Sequence, residues 1–165
     1  MDQYRLYSFT HAWLSAGAAG LQTAHVVSEL SLQDCPIYHH WAQNDKTIII
    51  LNGGSSQMLA NTMDTLIAYR NKCPILQDLT SEVTDFREDA QSLENARTAV
   101  GVIVHSALFN LFDGVVQNTP ENGQCYQSEY PDPLNENRIK TILSSEGEPI
   151  FEFVKLIKKH QLRNF

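Results

Sequence analysis

Gln22 and His25 stand three residues apart in Gly20-Leu-Gln-Thr-Ala-His-Val26, a stretch of otherwise small and apolar residues. On a helix that spacing puts an amide and an imidazole on a common side. There they can orient a ligand or a water; a hydrogen-bonded packing pair gives the same spacing. Two glycine-bearing segments offer a second chemistry, Trp13-Leu-Ser-Ala-Gly17 and Asn52-Gly-Gly-Ser-Ser56. Each follows a β-like run and precedes a helical one, so backbone amides and a helix N-terminus can hold an anion without a lysine. If the two strands are parallel neighbours, both loops open on the sheet edge where α/β folds bind ligands. The candidate ligand contacts are therefore His11, Ser15, Gly17, Asn52, Gly53, Gly54 and Ser55, with Gln22 and His25. Two glycines also make an ordinary turn, and that alternative stands beside the first.

Several other chemistries are absent from the sequence. There is no G-x-x-x-x-G-K-[ST], no G-x-G-x-x-G and no G-x-S-x-G, which removes ordinary P-loop, dinucleotide and nucleophile-elbow readings. His11, His25, His39, His40, His105 and His160 show no metal-motif spacing, so no metal and no cofactor is expected. Cys35, Cys73 and Cys125 are odd in number and form no C-x-x-C pair, which fits reduced thiols. Nineteen acidic against twelve basic residues give a formal charge of −7, which disfavours broad phosphate contact. A specific nucleotide pocket remains compatible with that charge. No stretch approaches the roughly 20 apolar residues of a membrane span. Met1-Asp-Gln-Tyr-Arg5 has no basic flank leading into an apolar core, so the expectation is a cytoplasmic protein without a secretion leader.

The elements that must position these groups follow from patterning. Residues 4–10 read as a strand and 18–31 as a helix, with Leu21, Ala24 and Val27/Ser28 as its apolar stripe. Residues 32–45 read as irregular. Lys46–Leu51 is the clearest strand, and its three isoleucines suggest burial on both faces. A helix follows at about 56–71, capped by Ser55 or Ser56. Cys73–Gln77 reads as a short third strand, 78–96 as a long acidic loop, and Thr98–His105 as a fourth strand. The fold expected is α/β: a three-layer sandwich with a central mixed four-stranded sheet over residues 1–112. Residues 113–165 extend it, with a proline- and glycine-bearing loop at 113–133, a short helix to about Leu143, and a final helix from near Pro149. In that helix Ile150, Phe153, Val154 and Ile157 form one stripe, which either docks on the domain or pairs two copies of the chain.

With those elements in order, Tyr4–Leu30 resembles the opening of the peptidyl-tRNA hydrolase 2 family: a strand, a glycine-containing loop and a helix with an A-A-Q-x-x-H-A-like core. Trp41 with Lys46–Leu51, Met58–Arg70, Ile75-Leu-Gln-Asp-Leu79, Thr84 and Thr98–Gly101 resemble the family's later segments in the same order, over about residues 4–104. The resemblance implies that family's α/β fold. For an active member it implies Asp78 and His25 at the water, and Gln22 and Thr84 at the tRNA 3′ end. The departures are specific. Ala16 and Ala18 flank Gly17 where the family has the lysines of a G-K-G-K pattern, and its loop arginine has no counterpart unless Arg87 is a displaced substitute. Lost cations remove charge stabilisation from an ester under attack, and an acidic loop repels an acceptor stem. The expected function is a noncatalytic binder, acting as a sponge, of a nucleotide-like small molecule. The alternatives are an active peptidyl-tRNA hydrolase and a protein-interaction module built on residues 113–165.

Overall fold

The computed structural model describes residues 3–89, 94–110 and 147–160. In chain order the elements are β1 (Tyr4–His11), α1 (Ala16–Ser31), α2 (Pro36–His40) running into a π-helical turn (Trp41–Asp45), β2 (Thr47–Gly54), α3 (Ser56–Lys72), α4 (Pro74–Leu79), β3 (Thr84–Arg87), β4 (Arg97–His105) and α5 (Gly147–Lys159). The strands form one mixed sheet in the order β2-β1-β4-β3. β1 is parallel to β2 and antiparallel to β4, and β3 is antiparallel to β4. Helices cover both faces, so the molecule is α/β with a four-stranded sheet as its middle layer.

The alternation of β1 decides which helix goes where. Tyr7 and Phe9 point into the larger core, shared with Leu59 and Leu66 of α3, Leu76 of α4 and the buried face of α5. Leu6 points the other way, into a core with Val26 and Leu30 of α1 and Trp41. Side chains two apart on a strand share a face. Successive side chains of β1 are therefore sealed from opposite sides, and residues 6–10 are all buried.

Several local readings change. Cys73–Gln77 is not a strand. Pro74 occupies the first helical position after an extended Cys73, where its fixed φ and missing N–H suit a helix. Ile75, Leu76 and Leu79 then pack toward α3, a contact that the short apolar run could not announce. The third strand is instead Thr84–Arg87, inside the segment read as a loop. Its pattern Thr-Asp-Phe-Arg is too short and too polar to show a period. Residues 36–45 are helical rather than irregular. The isoleucines of β2 are also not buried on both faces. β2 is an edge strand, and Ile48 is 44% exposed.

The inner face of α1 is also reversed relative to its apolar stripe. Leu21 is 57% exposed, while Gln22, Thr23 and Val26 are buried. Two contacts account for this. Thr23 and Ser8 share a hydrogen bond of 2.8 Å beneath the helix, and Val26 sits directly over Gly101 of β4. A Cβ on Gly101 would lie 2.3 Å from Val26 Cγ1. The helix reaches the sheet only because that side chain is missing.

The stripe of α5 lies inside the chain. Ile150, Phe153, Val154 and Ile157 are buried with Leu59, Leu66 and Leu76, and each contributes about 1.5–3 kcal/mol of burial. That apolar face therefore packs on α3 and the sheet, not across a two-fold axis. The expected loop at 113–133 and helix to Leu143 lie outside the described residues. Among the described residues, no helix is long and apolar enough to cross a membrane. Cys35 is a free thiol, and Cys73 is buried in the larger core.

A paired glycine experiment tests the seating of α1. Gly101→Ala should cost about 1–3 kcal/mol by overpacking. Gly20→Ala, where an added Cβ meets nothing within 4 Å, should be neutral or stabilise by about 0.5–1 kcal/mol. Urea denaturation of both variants measures the contrast.

Candidate functional site

The ends of β1 and β2 meet on one edge of the sheet, and their following helices leave on opposite faces. Ser15 caps α1 by accepting from Ala18 N–H, and Ser55 caps α3 by accepting from Met58 N–H. The Ala12 amide donates to the Gly54 carbonyl at 2.8 Å, holding the two loops side by side. β4 begins and β3 ends on the same edge, because Thr10 pairs with Ala99 and Arg87 with Arg97. This edge is a topological switch point, the usual position of a ligand crevice in an open α/β sheet.

The glycines of the β2 loop are there for geometry. Gly54 has φ +78° and its amide donates to Asn52 Oδ1. A Cβ on Gly53 would overlap Leu59 and press on Phe9 and the Thr10 carbonyl. Gly53 is buried and Asn52 exposed, so the strand end is tucked against α3 with the asparagine outside. On the β1 side, His11 accepts from Trp13 Nε1 at 3.1 Å, with the rings edge to face. Trp13 is 59% exposed, and Gly17 is exposed in the first turn of α1.

Beneath α1 the same edge carries a polar cluster. Gln22 is buried and spans two strands. Its Nε2 donates to Glu88, just past β3, and its Oε1 accepts from Thr98 Oγ1 at 2.7 Å. Both ends of the carboxamide are thereby fixed; loss of such a buried partner typically costs about 1–3 kcal/mol. His25, half-buried, lies flat on Phe86 with ring centroids 4.1 Å apart and an interplanar angle of 8°. Thr84, two residues before Phe86, is paired opposite Gly101 in the interior of β4.

Asp78 is elsewhere. It is exposed on α4, which packs with α3 on the other side of the sheet from α1. The structure thus brings Gln22 and His25 under one helix, and gathers His11, Ser15, Gly17, Asn52, Gly53, Gly54 and Ser55 at the ends of β1 and β2. It does not bring Asp78 to either group. The segment carrying Asp78 is helical, and that sets its side chain apart from β3.

Arg87 is exposed and donates to Asp85 Oδ2 at 3.0 Å. The better enclosed cation is Arg97, which sequence reading passed over. Its Nε donates to the same carboxylate oxygen at 2.6 Å, and its backbone N–H donates to Ser56 Oγ. Burial pushes the Asp85 carboxyl up, but hydrogen bonds and charge from Arg97 and Arg87 outweigh it and hold the group below its ordinary value of 3.8. Glu88, Phe86 and Thr98 were also missed. Their signal was the short β3, hidden in acidic sequence. Among the described residues, no group of three or more His, Cys, Asp or Glu side chains is arranged to hold a metal ion. No family model matches the chain, and no curated protein matches it significantly.

The Asp85 pairing has a pH signature. A depressed carboxylate adds stability above the ordinary carboxyl range, and that increment is lost as pH falls through the folded value. In urea melts, Asp85→Asn should be less stable than the parent at neutral pH. The gap should close on acidification below 3.8; a gap independent of pH would contradict the pairing.

Proposed function

We propose that this chain is a noncatalytic binder of a nucleotide-like small molecule, which it sequesters on a scaffold resembling that of the peptidyl-tRNA hydrolase 2 family. The observation that carries this reading is the state of the groups a hydrolase would need. Gln22 is fixed at both ends by Glu88 and Thr98, His25 is stacked on Phe86, and Asp78 lies across the sheet from both. General acid–base catalysis needs a titratable group within hydrogen-bond reach of the reacting proton. Gln22 is bound at both ends within the chain, and Asp78 lies on the other side of the sheet from His25 and cannot act with it.

The edge itself favours a small planar ligand over an RNA stem. The loop after β1 has no charged residue from Ala12 to Gly17, and its exposed Trp13 stands beside the strand ends, where a ligand bound at the edge alters its fluorescence. On the neighbouring part of the edge Asp85 engages Arg87 and Arg97, and Glu88 engages Gln22, so the two arginines are held by a carboxylate rather than offered to a chain of phosphates. The net charge of −7 repels such a chain at long range.

Titration calorimetry of the whole protein against nucleoside monophosphates, cyclic nucleotides and dinucleotides tests this. Saturable binding is expected, with quenching of tryptophan fluorescence and with the ligand recovered chemically intact. A blank panel, or rapid release of peptide from peptidyl-tRNA, would overturn it.

A further inference from the structure

Between α3 and α5 the surface sinks into an open groove of about 490 Å3, adjoining the ends of β1 and β2 but on the opposite face of the sheet from Gln22 and His25. α3 supplies Met58, Asn61 and Thr65, spaced so that they share one side of the helix. α5 supplies Lys159 and His160, and the β2 loop supplies Asn52. Three features of this groove point to a ligand.

The first is charge. Among the described residues a lysine and a histidine line the groove and no carboxylate does. A lining that displays a fixed positive charge without a described negative one favours an anion. The second is chemistry along its length. Met58 is 53% exposed, and its polarisable thioether suits an aromatic ring. Asn61 Oδ1 accepts from Gln57, and the described bonds leave its amide hydrogens to a ligand. The third is construction. His160 holds the end of α5 against the strand ends, with its Nδ1 2.8 Å from the Asn52 carbonyl oxygen and its ring edge-on to Phe9 at 4.9 Å. The groove is thus framed by fixed elements, as small-molecule pockets of about 300–1,000 Å3 usually are.

We infer that this groove is the binding site for a nucleoside 5′-monophosphate, with the phosphate at Lys159 and His160 and the base over Met58, read by Asn61. The inference rests on the reading of the chain as a binder of a nucleotide-like molecule, and it makes the C-terminal helix part of the site.

The chain contains three methionines, Met1, Met58 and Met63, of which Met63 packs against the core. Full-length protein labelled with 13C at the methionine methyls is titrated with AMP, GMP, CMP and UMP, with adenosine, and with ribose 5-phosphate. Calorimetry runs in parallel on the parent, Lys159→Ala and Lys155→Ala. Lys155 pairs with Glu152 on α5 and does not line the groove. The expected result is a shift of the Met58 methyl by at least one monophosphate. Lys159→Ala should weaken that binding about ten-fold or more, as loss of a charge-assisted hydrogen bond does, and Lys155→Ala should leave it unchanged. Adenosine should bind equally to the parent and to Lys159→Ala. A bound monophosphate that leaves Met58 unmoved, or equal effects of the two lysine variants, overturns the groove assignment and leaves the binding reading intact. So does uptake of a cyclic or dinucleotide with none of the four monophosphates bound. Ribose 5-phosphate binding as tightly as the best monophosphate overturns the role of the base. If no nucleotide of any class binds, the functional reading itself fails.

Discussion

The architecture depends on the two-sided burial of β1. Residues 6–10 are all buried, although Ser8 and Thr10 among them are polar. Tyr7 and Phe9 are sealed by α3, α4 and α5, and Leu6 by α1. A strand in this position must have neighbours on both edges, and it has parallel β2 on one side and antiparallel β4 on the other. From this follows the divergence at the far end. The chain leaving β1 turns to one face and the chain leaving β2 to the other, which opens the crevice between them. The adjoining groove exists because α5 adds a second helix beside α3 on the β2 side.

The polar residues under α1 are the distinctive feature of that layer. Ser8 with Thr23, and Gln22 with Thr98 and Glu88, place hydrogen bonds where apolar contact would be the usual solution. Buried polar groups are costly unless satisfied, and in a satisfied network each member restricts the others. Gly101 removes the one side chain that would hold the helix off the sheet, so these short contacts can form. The outcome is an α1 whose inner face is fixed and partly polar, and whose exposed face mixes Leu21 and Ala24 with Ser28 and Glu29. A rigid wall of this kind suits a preorganised binding surface. It suits hydrolysis less well, because Asp78, the carboxylate that would act with His25, lies on the other face of the sheet.

How much was legible followed from where each element's stabilisation originates. Tyr4–Thr10, Thr47–Leu51, Ser56–Lys72 and Thr98–His105 carry their own periodicity or β-branched runs, and the sequence reading located all four within a few residues. The stripe Ile150-Phe153-Val154-Ile157 was also legible, because it repeats at helical spacing over two turns. β3 was not. Its four residues owe their strand conformation to pairing with β4 and to Phe86 lying under His25, both long-range contacts. Pro74–Leu79 failed in the other direction, since a short apolar run is ambiguous between strand and helix until its neighbour is known. For the site, the two glycine loops were read as ligand cradles, and Gly53 and Gly54 turn out to serve a close approach and a left-handed turn. Arg97 was invisible because its partner, Asp85, is twelve residues away across a hairpin.

The charges divide the sheet edge into two unlike halves. On the β3–β4 side, Asp85 is neutralised by two arginines and Glu88 is bound to Gln22, so each carboxylate there is committed to the chain's own groups. A ligand approaching that side must displace an internal bond. On the β2–α3 side the polar lining among the described residues is amides, hydroxyls, a lysine and a histidine. Electrostatic focusing acts through local potential rather than net charge, so an overall charge of −7 does not prevent this half from attracting an anion. The glutamine–histidine pair that first drew attention thus belongs to the half that is structurally occupied. The half built from the β2 loop and the C-terminal helix is the one left open to a ligand. An extension that began as an apolar stripe of four residues ends by carrying the lysine and the histidine of the groove.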